Sequence, residues 1–151
     1  MLAAGGLYPA WVLGCATVCL FLREQHLVVG ALLNFMLPTM HQCLELLVKA
    51  LVMTTDPTFD PEKKKYQHDT WEIVKDYANR VLCFRELLQN MQVQRLFKEL
   101  KESYFTVRYG EGVHSCDGEA WDLFCSTADM LFDALRNVTC LPFPVGPISE
   151  L

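Results

Sequence analysis

Strand signals are almost absent from this chain. There is no clean alternating apolar–polar run of useful length and no Asn-Gly or Asp-Gly hairpin turn, which argues against a β-sheet fold. No internal repeat recurs, so solenoid and propeller architectures are set aside. There is no Cys-x-x-Cys, and no Cys/His set has the spacing of a zinc site. No metal and no cofactor are expected on that ground. An excess of positive charge is also missing: 18 acids stand against 13 bases, for a net charge of −5. A global electrostatic drive toward nucleic acid is therefore lacking, although a local basic patch is compatible with the count.

Apolar residues make up 52% and charged residues 21% of the 151 positions. A chain of this composition and length folds as one domain with a substantial core. The cysteines are odd in number, seven, and several stand in apolar helix-like stretches. They read as reduced core residues in a reducing, cytoplasmic setting. Residues 1–22 carry no charge, and neither do residues 27–44. The first run is close to the roughly 20 apolar residues of a membrane span. Two N-terminal spans are one reading of these runs. Against it stand the short separation at residues 23–26, the polar Asn34, His41 and Gln42, and Pro38 within the second run. Two helices buried in a helical core fit better.

Helical periodicity dominates the rest. A first helix is expected from Pro9 to about His26, and a second from about Val28 to Met53, kinked or broken at Pro38. Leu44, Leu47, Val48 and Leu51 form an i, i+3, i+4, i+7 stripe. Glu45 and Lys49 stand four apart, acid first, and read as a surface ion pair. Residues 54–61, with two prolines, break the helix. Lys63, Lys64 and Lys65 follow as a solvated loop or, on the sharper reading, a phosphate-facing patch. Asp69 reads as the N-cap of a third helix whose apolar face runs from Trp71 to Leu82. A fourth helix is expected from about Phe84 to Val107, with Lys98, Glu99, Lys101 and Glu102 solvated, ending near Gly110 and Gly112. Asp117 can cap a last helix reaching Asn137. The sum is an all-α, up-and-down bundle of about four to five helices over residues 1–140, with residues 141–151 an extended or disordered tail.

The order of motifs along the chain is "CLELLVKALV" (residues 43–52), "KYQHDTWEIV" (residues 65–74) and "ESYFTVRYGEG" (residues 102–112). This order resembles the HEPN family, the higher-eukaryote and prokaryote nucleotide-binding domains. Glu45, Lys49 and Ala50 match that family's Glu-x-x-x-Lys-Ala pattern, and His68 and Asp69 match the centre of its Gly-His-Asp-Leu turn, with Gln67 and Thr70 in place of the glycine and leucine. Arg108 and Tyr109 match its Arg-Tyr, while Gly110 and Glu111 depart from the Pro-Asp that often follows. The resemblance implies a helical bundle, commonly a homodimer, that binds a nucleotide, an RNA-type ligand or a protein partner through Lys49, His68, Asp69, Arg108 and Tyr109. It also implies an alternative. Some members are metal-independent endoribonucleases, toxins paired with a nucleotidyltransferase-type antitoxin, that share an arginine and a histidine at the spacing of Arg108 and His114. A histidine near neutral pKa can move the ribose 2′-OH proton, and an arginine fork can brace phosphoryl oxygens. Two glycines between Arg108 and His114 make a firmly held catalytic pair hard to build. The binding module is therefore the leading expectation and the ribonuclease the alternative.

Overall fold

Helix α1 (Ala31–Thr55) is the spine of the bundle, and it is apolar on nearly every side. The other elements described in the computed structural model, which covers residues 31–109 and 118–139, pack around it. These are α2 (Thr70–Tyr77), α3 (Leu82–Gln89), α4 (Met91–Tyr109) and α5 (Gly118–Thr139). The described residues are all-α, as the sequence patterning requires, with five helices and no strand. The expected helix before residue 27 and the tail after residue 140 lie outside them.

Leu44, Leu47, Val48 and Leu51, the stripe read from the sequence, are all at most 1% exposed. α1 packs against α4, α5 and α2. Phe84 from α3, Phe124 and Leu131 from α5, and Leu100 from α4 close the same core. α1 runs through Pro38 as one helix, so of the expected kink or break the break does not occur. Burial of Leu37 and Met40 on either side of the proline holds the helix across the missing N–H. At its other end the hydroxyls of Thr54 and Thr55 donate back to the carbonyls of Leu51 and Val52, occupying last-turn acceptors before Asp56-Pro57. None of the helices among the described residues is long and apolar enough to cross a membrane.

The loop over residues 56–69 is tied down rather than loose. Asp56 accepts from the Thr58 amide and hydroxyl, from the Tyr77 hydroxyl and from Arg80. Asp76 accepts from Lys65 and from the Tyr66 hydroxyl. These hydrogen bonds hold both carboxyls below the usual range. Burial, with the bond to Asp76, pushes the Tyr66 phenol up to about 12. The Phe59, Tyr66 and Tyr77 rings then pack together at 5.5–6.5 Å.

Two expected helices are shorter than their patterns. α2 stops at Tyr77, where the amides of Arg80 and Val81 both turn back to the Tyr77 carbonyl. Arg85 then donates to the carbonyls of Ala78 and Asn79, fixing the corner. The expected single helix from Phe84 to Val107 is two helices, because Asn90 intervenes. Its side-chain oxygen accepts from the amides of Gln92 and Val93, so it caps α4 instead of continuing α3. α4 is described as far as Tyr109, and its expected end near Gly110 and Gly112 lies outside the described residues.

Candidate functional site

His41, Glu45 and Lys49 occupy one face of α1 at i, i+4 and i+8 spacing, so they rise in a column toward the loop before α2. The column is buried: His41 is 2%, Lys49 6% and Glu45 9% exposed. Lys49 Nζ donates to Glu45 Oε1 at 2.6 Å. The expected surface pair is thus a correction. The face of α1 that carries it points into the bundle, so the pair is a buried one.

The other oxygen of Glu45 is approached twice. His41 Nε2 lies 3.5 Å from Oε2, and His68 Nδ1 lies 3.6 Å from the same atom. Both distances exceed a hydrogen bond, and neither nitrogen has a hydrogen-bond partner although both are buried. Tyr104 of α4 stacks beside both rings, 5.0 Å from His41 and 5.2 Å from His68, and Phe105 meets His68 edge-on at 5.9 Å. His68 has φ of 63°, the only positive φ among the described non-glycine residues. That conformation is costly for a side chain with a Cβ, roughly 1 kcal/mol or more, and is held by surrounding contacts. Here those contacts are the Tyr104 and Phe105 rings on one side of His68 and the Asp69 cap on the other.

Burial is the main cause that lowers His41 to about 4, partly offset by the Glu45 carboxylate. His68, Lys101 and Lys49 push in the same direction as burial. His41 is therefore a neutral imidazole near pH 7 and offers a lone pair rather than a charge.

Asp69 caps α2, accepting from the Glu72 amide at 3.3 Å. Its second oxygen accepts from Lys101. Lys101 was expected to be solvated with its neighbours on α4, and it is instead partly buried and paired. Asp69 and Lys101 form one side of an open cleft of about 190 Å³ whose other walls include Trp71, Phe97, Gln94 and Lys98. The Trp71 and Phe97 rings lie 5.2 Å apart along this wall.

The structure thus brings two of the sequence-predicted site residues, Lys49 and His68, to the Glu45 carboxylate, while Asp69 turns to Lys101 and the cleft. Arg108 and Tyr109 are the last residues described in α4. Their side chains, and His114 entirely, lie outside the described residues. The lysines of the loop, Lys63, Lys64 and Lys65, are exposed, with Lys65 held by Asp76. The sequence pattern marked neither His41 nor Tyr104 as a site residue and placed Glu45 at the surface. The spacing His41-x-x-x-Glu45 was the available signal, since it puts an imidazole and a carboxylate on the same helical face. Cys43, Cys83 and Cys125 are buried, none in a disulfide, and burial pushes the Cys83 thiol up to about 11. These thiols are inert packing groups.

Comparison with family models, with curated proteins and with solved structures gives no match to this chain.

Proposed function

We propose that this chain is a HEPN-like helical module that binds a nucleotide or single-stranded RNA-type ligand, without catalysis of its own, at the cleft between α2 and α4. The observation that carries the reading is the make-up of that cleft. The half-buried Trp71 ring, backed by the core residue Phe97, shares the cleft with Gln94, Lys98 and Lys101. A nucleobase stacks on an aromatic face with little regard to sequence, worth about 1–3 kcal/mol per base. Gln94 can hydrogen-bond a base edge, and the lysine ammoniums can meet phosphate oxygens. The Asp69 cap, read from the sequence as part of a ligand turn, borders the same cleft. Glu72 and Asp69 also line it, so attraction to phosphate is modest and stacking leads.

Titration with AMP, ATP and a short unstructured RNA tests the reading through quenching of Trp71 fluorescence, with Trp71→Phe as the control for Trp11 and Trp121. Saturable quenching that Lys98→Ala and Lys101→Ala each weaken, by roughly tenfold for a lost charge-assisted bond, is the expected result. No response at millimolar ligand would overturn it. The same RNA incubated without metal should remain intact. Cleavage that Arg108→Ala and His114→Ala each abolish would transfer the assignment to the ribonuclease and its antitoxin partner.

A further inference from the structure

We infer that His41, Glu45 and His68 form a binding site for one divalent transition-metal ion of the zinc type. The site is carried by the geometry of three ligand atoms, and it stands independently of the nucleotide reading of the cleft. His41 Nε2, Glu45 Oε2 and His68 Nδ1 all lie within 4.8 Å of one another. Two of the three separations are 3.5 and 3.6 Å. Ligand atoms about 2.0–2.1 Å from a tetrahedral ion are themselves about 3.3–3.4 Å apart. The observed distances are too long for hydrogen bonds and close to that edge. Two imidazoles with one carboxylate form a donor set of zinc and of other first-row ions, whereas calcium and magnesium take oxygen donors.

The surroundings suit a cation there. Both facing nitrogens are buried without a hydrogen-bond partner, and His41 is almost fully enclosed. A metal ion would satisfy both at once, together with the Glu45 oxygen that Lys49 does not use. Lys49 orients the carboxylate from its other oxygen, as outer groups do at metal sites, while its charge restrains the affinity. Three protein ligands leave a tetrahedral ion one position for water or for an anionic group. His68 is the least enclosed of the three, so the ion would enter from its side.

The test uses the full chain stripped with EDTA and titrated with Zn²⁺ and Co²⁺. One ion per chain is expected, with visible ligand-field bands for Co²⁺ and a melting temperature that rises with Zn²⁺ concentration. His68→Asn is the informative variant, because asparagine tolerates the positive φ at this position. It should weaken binding by more than about 100-fold, beyond the effect of losing an outer-sphere partner. Should that variant misfold, histidine ring NMR of the unmodified protein decides instead. Of the four histidines, His26, His41, His68 and His114, only His41 and His68 should shift with Zn²⁺. Absence of one-to-one binding, unchanged affinity in His68→Asn, shifts at His26 or His114 in place of these two, or an intense near-ultraviolet thiolate band showing that cysteines hold the Co²⁺ would each overturn the inference.

Discussion

His41 on α1 and His68 in the loop before α2 face the same carboxylate oxygen, Glu45 Oε2, from 3.5 and 3.6 Å. Neither is hydrogen-bonded to it. The arrangement concentrates four ionisable side chains, with Lys49, in a place where the bundle has removed most of the water. Its consequences for stability can be measured.

The first concerns pH. His41 is held down at about 4, mainly by burial, from an ordinary value of 6.5. Glu45 and Lys49 on its own helix, His68 from the loop and Lys101 from α4 are the charged or titratable groups acting on it. Between pH 6.5 and 4 the unfolded chain takes up a proton at this histidine that the folded chain does not. Stability therefore falls as pH falls through that window, and the loss is complete below about 4. At roughly 1.4 kcal/mol per pH unit the contribution is about 3 kcal/mol. Urea melts of metal-free protein at pH 7, 5.5 and 4, compared with His41→Leu, should show the stability difference moving toward the variant by that amount. Parallel pH profiles would refute the assignment.

The second concerns the ion pair. Lys49→Met leaves the Glu45 carboxylate buried without its donor, and should cost about 3–5 kcal/mol. Adding Glu45→Leu should restore much of the loss, since an apolar pair of similar volume avoids the desolvation of two charges. The exposed Arg95–Glu99 pair on α4 provides the contrast. Glu99→Gln there should change stability by less than about 1 kcal/mol. Chemical denaturation of the four proteins distinguishes these cases.

The third concerns the core. Phe84 is fully enclosed where α3 meets the bundle. Phe84→Ala should destabilise by about 3–5 kcal/mol through lost burial and the cavity left behind. Thermal denaturation would register it, and a loss under 1 kcal/mol would place α3 outside the cooperative unit.

The fourth concerns the loop over residues 56–69. Asp56→Ala removes the acceptor shared by Thr58, Tyr77 and Arg80. Trypsin should then cut at the exposed Lys63, Lys64 and Lys65 several-fold faster, because local opening precedes cleavage. An unchanged rate would mean that the Phe59, Tyr66 and Tyr77 rings hold the loop without the carboxylate.

Much of the architecture was legible in the sequence because it rests on local patterns. The Leu44, Leu47, Val48 and Leu51 stripe and the Asp69 cap each follow from spacing or from one residue's own conformational preference. The early stop at Tyr77, ahead of the break expected near Leu82–Phe84, and the break at Asn90 were not. Apolar spacing continues across both, and the breaks come from hydrogen bonds of Arg85 and Asn90 that compete with the helical ladder. Part of the candidate site was legible as well. Lys49, His68 and Asp69 stood in recognisable motifs, whereas His41 passed as one more residue of an apolar helix.

The sequence by itself determined that the chain is helical, where its longest apolar face lies and which turn caps α2. Those properties depend on residues three or four apart, or on single caps. Only the tertiary structure decided that Glu45 and Lys49 face inward, that His68 folds back onto Glu45 through a left-handed backbone, and that Lys101 reaches Asp69. The leucine stripe marked one buried face of α1, but the helix is apolar on so many sides that its pattern leaves open whether the Glu45–Lys49 face is buried as well. Packing against α2, α4 and α5 chose it, and with that choice a pair expected at the surface became the floor of the site.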